Sequence, residues 1–286
     1  MGMGKKGKSR LYRVTHTLAI AFAAFAMAST IAAASAATDS WLQERTRTWE
    51  SIEPEVRAFA EKLSGTFLRP KAGSVVQDPE ILNRLQLLID RIVRAPLNRE
   101  FFQDFDIKFT LFKSSLINMQ ASSFEKNKGT IWIHGRILLS LQSESELAAL
   151  LAHEMGHILA LHSLARYKLS PQNKIQKIKR HLEKREEETE ADLMAAHLLA
   201  NAGFDPRAII AALRRLEGDT QKQGSCPGLL TKFGSLFQGH PLTYDRIKNV
   251  EKHLREYPQL SQSERLPECS WEDWKTAIKP HAHLFF

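Results

Sequence analysis

Ala152-His153-Glu154-Met155-Gly156-His157 lies between Leu150-Leu151 and Ile158-Leu159, inside an apolar run. Its reading decides the fold. A helix presents residues four apart on one face, so His153 and His157 point the same way and can share one metal ion. Glu154 is rotated off that direction, within reach of an attacking water rather than of the metal. Two imidazoles and a carboxylate in an apolar helix are costly unless they have partners, and metal ligation supplies one. The competing reading is two surface histidines beside a solvated glutamate. Gly156 costs about 1 kcal/mol relative to Ala in a helix interior, which points to close approach of a neighbouring element. Ser143-x-x-Glu146 is a capping box ahead of this helix, and Leu147, Leu150, Leu151, Ile158 and Leu161 give it a core face.

A catalytic zinc needs a third protein ligand and an open fourth position. In Glu188-Thr189-Glu190-Ala191-Asp192 two acids again stand four apart, with Glu188 31 residues after His157. Glu188 is expected to complete the coordination. Asp192 is expected to accept a hydrogen bond from the far nitrogen of a ligand histidine, fixing its tautomer. Glu186, Glu187 and Glu190 are read as a solvated acidic face that balances the basic stretch 166–185, which holds eight Lys and Arg against one Glu. That basic stretch is read as a solvated loop, with peripheral membrane contact as the alternative. The remaining histidines are read as structural or solvated. His162 is among them, five residues past His157 and off its face.

Working outward, Asp78-Pro79 is an N-cap followed by Pro at the first helical position, and Ile81, Leu85, Leu88, Ile89 and Ile92 follow at helical spacing. Ile107, Phe109 and Leu111 alternate with polar residues as in a strand, and Gly129-Thr130-Ile131-Trp132-Ile133 is a second strand. The polar stretch Ser114–Lys128 between them reads as a loop. Helices are expected over 40–65, over about 177–201 with Gly203 as the stop, from Asp205-Pro206 to Gly218, and around Ile247, Val250 and Leu254. Trp271 and Trp274 suggest a tail that packs back on the body. The fold class is therefore α+β and mostly helical. A small sheet, including 106–113 and 129–134, sits over the active-site helix. The strand nearest the metal would take an extended peptide as an added strand, with Trp132 and Ile133 placed on it.

The 286 residues are 43% apolar and 25% charged, as in an ordinary globular protein. Lys5, Lys6, Lys8, Arg10 and Arg13 precede the apolar run Leu18–Ala34, which ends in Ala34-Ser35-Ala36. That order reads as a secretory signal peptide over 1–36, with a single domain over 37–286. A retained membrane anchor is the rival reading. Removing 1–36 takes five cations and no acids, so the net charge falls from +8 to +3, and a nucleic-acid role loses its compositional support. Cys226 and Cys269 enclose 42 residues. In an oxidising compartment they can pair, the alternative being two free thiols.

The HExxH run, the later ExxAD run and His240-Pro241-Leu242-Thr243-Tyr244-Asp245-Arg246 together resemble metallopeptidase family 48. That family includes the CAAX prenyl endopeptidases, HtpX and the periplasmic protease BepA. The likeness covers about residues 76–256 and implies a gluzincin-like zincin fold. It implies one zinc ion per chain on His153, His157 and Glu188, with Glu154 as general base. It brings His240 near the metal, either as a donor to the tetrahedral oxyanion or as a plug of the open position; otherwise His240 is a loop residue capping the next helix. Arg246 would anchor an acidic group in the cleft or pair with Asp192. The chain departs from its relatives after Asn118, where Met119-Gln120-Ala121-Ser122-Ser123 replaces the usual run, and it shows no tetratricopeptide repeats after Arg246. No transmembrane helix is expected after the leader.

The expectation is a zinc-dependent endopeptidase of the cell envelope, exported to the periplasm of a Gram-negative-type bacterium. It would cleave unfolded or misassembled proteins bound as an extended strand, with a possible role for outer-membrane assembly contacts and no nucleic acid. The alternative is a zinc-binding chaperone or latent scaffold whose fourth position His240 keeps closed. Nothing in the sequence bears on oligomeric state.

Overall fold

Asp78 opens the first long helix, α1 (Pro79–Val93): its carboxylate accepts the backbone N–H groups of Glu80 and Ile81, and Pro79 takes the first helical position. Ile81, Leu85, Leu88, Ile89 and Ile92 form its buried stripe. The computed structural model describes residues 40–58, 60, 73–165, 174–223 and 244–285, and of 165, 174–182 and 218–223 the backbone alone. The chain divides into two compact units, 1–41 and 42–286. The elements described here belong to the second. The expected leader over 1–36, Cys226 and His240 lie outside the described residues, as do the side chains of most of the basic stretch. Cys269 is exposed.

Three strands, β1 (Asp106–Phe112), β2 (Met119–Glu125) and β3 (Lys128–His134), form one sheet in the order β1-β3-β2. β1 runs parallel to β3, and β2 antiparallel to it. β2 occupies the stretch expected to be a polar loop. Its polar residues conceal it, because Ser122 and Ser123 are buried along with Met119 and Phe124. Ser123 is reconciled with burial by its neighbour Ser163, whose hydroxyl accepts the Ser123 N–H at 2.9 Å and lies 2.9 Å from the Ser123 hydroxyl. A register shift between Ser122 and Glu125 further breaks the alternation that marks a strand.

This order corrects a second expectation. β3, which carries Trp132 and Ile133, is the central strand and is paired on both sides. It cannot take an added strand. The edge strand that packs on the HExxH helix is β2.

That helix, α2 (Glu144–Leu159), is buried along its whole length. The Ser143 hydroxyl accepts the N–H of Glu146, as a capping box requires. The Glu146 carboxylate reaches back one residue further than expected, to the Gln142 N–H, and also receives the Arg215 guanidinium on both oxygens. α2 stops at Leu159 instead of running through Leu161. Leu161 adopts φ +52°, the left-handed region, at a cost of roughly 1–2 kcal/mol for a residue with a Cβ. Its burial in a cluster with Trp49, Ala60, Phe124 and Leu164 offsets that cost. A short helical turn, His162–Ala165, follows in a new direction.

The remaining long elements surround α2. α3 (Lys174–Asn201) and α4 (Ala208–Gln223) pack against it, and α5 (Tyr244–Glu256) packs on α3. Gly203, at φ +75°, ends α3 as expected. α4 runs past Gly218, where a stop was expected. One glycine in a helix interior costs about 1 kcal/mol, which a helix of this length tolerates. α6 (Trp271–Ile278) brings the tail back onto the body: Trp274 is buried, and its indole N–H donates to Glu144 at the start of α2. Among the described residues no helix is long and apolar enough to cross a membrane.

Candidate metal centre

The two helices that carry the polar groups approach closely because Gly156 has no side chain. A Cβ there would meet the carbonyl oxygen of Ala191 at 3.0 Å and its Cα at 3.1 Å. Ala191 lies between Glu188 and Asp192, so this contact brings Glu188 up to both histidines and Asp192 up to His153. The Nε2 atoms of His153 and His157 lie 3.1 Å apart. Glu188 offers Oε2 at 3.4 Å from the first and Oε1 at 3.5 Å from the second. Ligands held 2.0–2.1 Å from a tetrahedral zinc stand about 3.3 Å from one another, so the triangle has the size that one such ion requires. Among the described residues, His153, His157 and Glu188 form the group of His, Cys, Asp or Glu that could hold a metal, and all are buried.

Charge agrees with size. Glu154, Glu188 and Asp192 are buried together against one guanidinium, that of Arg246. Carboxylates gathered around two imidazoles are the donor set of a divalent-cation site. The histidines report the same field. Burial opposes a charge on His153, but hydrogen bonds to Asp192 and Glu188 outweigh it and raise its pKa to about 9. Whatever favours a proton there favours a metal cation. Burial takes His157 well below its ordinary pKa, only partly countered by Glu188; a neutral imidazole is the form that ligates.

Asp192 lies beside the first histidine. Its Oδ1 lies 2.9 Å from Nδ1 of His153, the nitrogen that faces away from Glu188. Arg246 grips the same carboxylate at 2.7 Å through Nε and again at 2.7 Å through a terminal nitrogen. It also reaches Oε2 of Glu188 at 3.3 Å. Burial raises the Asp192 pKa, but Arg246 and His153 overcome this and hold it below the usual carboxylate range. Of the two roles open to Arg246, the described geometry has it paired with Asp192 and Glu188.

Glu154 is buried and lines a narrow cleft beside His153 and Arg246, walled by Met119, Leu150 and, from α4, Ile209 and Leu213. A separate cavity of about 450 Å³ lies between residues 43–50 and 100–105 and is lined by none of these groups.

The solvated acidic face expected at Glu186, Glu187 and Glu190 is overturned at two of the three, and His162, expected to be structural or solvated, is structural but does not lie off the face of His157. Glu186 is exposed, but Glu187 is buried and Glu190 half-buried. His162 is fully buried, and its Nδ1 lies 2.7 Å from Nδ1 of His157. Glu190 accepts from the other ring nitrogen of His162 at 3.0 Å, which is why it is not solvated. In a continued helix His162 would sit roughly 140° around from His157; the left-handed Leu161 turns the chain back and brings the rings together. No feature of the sequence announces a left-handed leucine.

The comparisons with known proteins agree with this geometry. The profile described as "Peptidase family M48" matches residues 83–182 and 170–254. A Vibrio cholerae protein assigned as a beta-barrel assembly-enhancing protease is 27% identical over 222 residues, 67% of this chain and 43% of its own length. The mitochondrial metalloendopeptidase OMA1 of Schizosaccharomyces pombe is 26% identical over 166 residues, 51% of this chain and 46% of its own. The alignments thus span less than half the length of either relative. Because the profile covers more than half of the chain, including both the HExxH and ExxAD segments, the chain belongs to peptidase family M48.

Proposed function

We propose that the protein is a zinc-dependent endopeptidase in which His153, His157 and Glu188 hold the ion and Glu154 is the general base. The observation that supports this most is the convergence of two imidazole nitrogens 3.1 Å apart with the Glu188 carboxylate, whose oxygens lie 3.4 and 3.5 Å from them, in a buried site beside Glu154. When bound, the cation supplies Lewis-acid polarisation of the scissile carbonyl and acidifies the attacking water. Glu154 takes a proton from that water as its oxygen bonds to the carbonyl carbon, and delivers it to the departing amine as the C–N bond breaks. Asp192 keeps the proton of His153 on Nδ1, leaving Nε2 to ligate. Arg246 holds Asp192 and Glu188 in register. His240 is proposed to approach the same centre from the segment before α5.

Substrate would add as a strand to β2. The His134 N–H donates to the Asn118 carbonyl, and Gln120 and Ser122 pair with Trp132 and Thr130. Residues 118, 120 and 122 therefore direct their backbone groups to β3, and Met119 and Ala121 direct theirs away from it. Met119 also lines the cleft beside Glu154. Binding through main-chain groups suits unfolded chains of varied sequence. Export to a periplasm, with misfolded or misassembled envelope proteins as substrates, is the biological setting we propose. It rests on the leader-like residues 1–36 and on the name of the Vibrio relative. Cys226 and Cys269 would form a disulfide there.

Digestion of casein by the purified protein, with and without a chelator, tests the reading. Cleavage is expected in the wild type and is lost with chelator and in Glu154→Gln. Cleavage by zinc-loaded Glu154→Gln at the wild-type rate, or none by zinc-loaded wild type, would overturn it; the second result leaves a zinc-binding scaffold.

A further inference from the structure

We infer that His162 and Glu190 are positioning residues for the second histidine of the metal centre, completing an arrangement in which one segment of α3 serves both imidazoles. The inference rests on the metal-site reading above and extends it to two residues outside the motifs. The far nitrogen of His153 meets Asp192 directly. The far nitrogen of His157 reaches the same segment through one intervening ring: Nδ1 of His162 at 2.7 Å, then Nε2 of His162 to Oε2 of Glu190 at 3.0 Å. Glu188, Glu190 and Asp192 thus provide, in five consecutive residues, a carboxylate for the ion and one for each histidine.

The order of donors in this chain is fixed by its ends. A ligand Nε2 on His157 requires the proton on Nδ1. That N–H donates to Nδ1 of His162, so His162 carries its own proton on Nε2 and donates it to Glu190. Glu190 ends the chain as a carboxylate. Arg45 and Arg47 stand 3.8 and 3.9 Å from its oxygens. Each bond in the series aligns the next ring, and a ligand held in one orientation binds metal more tightly.

The turn that carries His162 is itself held. Leu161 pays left-handed strain and is buried, and Ser163 is bonded to Ser123 of the edge strand. The strain persists because this position has to bring a ring back over His157; a helix continued through Leu161 would not.

The test measures zinc affinity of the purified protein by competition with a chromophoric chelator, together with the visible spectrum of its cobalt form and the melting of the metal-free protein. His162→Phe keeps a buried ring and removes the acceptor for His157. It is expected to lose about 10- to 100-fold in zinc affinity and to change the cobalt spectrum. His162→Asn keeps an acceptor near the position of Nδ1 and is expected to recover most of the affinity. Glu190→Gln is expected to fall between. A folded His162→Phe protein that binds zinc as tightly as the wild type, with the same cobalt spectrum, overturns the inference and leaves His162 a packing residue. If His162→Phe does not fold, Glu190→Gln decides: unchanged affinity and spectrum overturn the inference. A wild type that binds no zinc sinks the metal-site reading itself, and this inference with it; tight wild-type binding with indifferent variants sinks the inference alone.

Discussion

Arg246 from α5 and Asp192 from α3 are joined by two hydrogen bonds of 2.7 Å, both charged groups buried and Asp192 fully so. The fork geometry is the strong form of the guanidinium–carboxylate contact. It ties α5 to the acid that lies 2.9 Å from Nδ1 of His153. Removing the cation would leave Asp192 and Glu188 as buried, mutually repelling charges. Breaking a buried pair in this way costs about 3–5 kcal/mol. Arg246→Ala is therefore expected to lower the stability of the metal-free protein by that order in urea unfolding. A loss under about 1 kcal/mol would show the pair to be ornamental.

Gly156 reports on how tightly the two helices of the site must meet. In an open helix, Gly→Ala gains about 1 kcal/mol. Here the new Cβ meets the Ala191 backbone at 3.0 Å, which a backbone cannot evade by changing rotamer. Overpacking costs about 1–3 kcal/mol, so Gly156→Ala is expected to melt lower than the wild type and to bind zinc more weakly, since Glu188 moves away from His157. A more stable variant with intact zinc affinity would contradict the close approach.

His197 of α3 and His253 of α5 are buried with their Nε2 atoms 2.8 Å apart, below the Arg246–Asp192 pair on the same two helices. Burial lowers His197 to about 3, with the His253 charge adding to the effect, and burial lowers His253 to about 4. In the unfolded chain both titrate near 6.5. The folded state thus binds fewer protons between these values. Stability is full above about pH 6.5 and is lost as the pH falls toward 4, by up to about 1.4 kcal/mol per pH unit for each ring. The urea midpoint of the metal-free protein should drop between pH 7 and pH 5. His253→Gln should drop less over the same range; an equal drop would remove the pair as the cause.

The edge strand gives a test that leaves the metal alone. Ala121 directs its N–H away from β3, so proline there removes one outward donor and spares the ladder. One hydrogen bond of about 0.5–1.5 kcal/mol corresponds to a KM for an unfolded substrate raised by roughly 3- to 10-fold. Zinc content should not change. An unaltered KM would place the substrate elsewhere.

Where local chemistry decides structure, the sequence was readable. Asp78-Pro79, Ser143 and Gly203 act within a few residues of themselves, and each starts or stops a helix as its side chain or missing Cβ requires. The spacing of His153, Glu154 and His157 is likewise a property of one helix. What could not be read depends on distant partners. Ser123 looks like a loop residue until Ser163 is placed beside β2. Glu190 looks solvated until His162 is turned toward it. That turn depends on a leucine in a backbone conformation its own chemistry disfavours, held by Trp49 and Phe124 from other parts of the chain. Trp132 and Ile133 look like residues of a substrate-facing strand as long as β2, which makes β3 central, is concealed.

The most direct measurement is anomalous scattering at the zinc edge from crystals of the zinc-loaded protein. The account predicts one strong peak per chain, about 2.0–2.2 Å from Nε2 of His153, Nε2 of His157 and a carboxylate oxygen of Glu188. A peak held by other side chains, or none at this triangle, would contradict it.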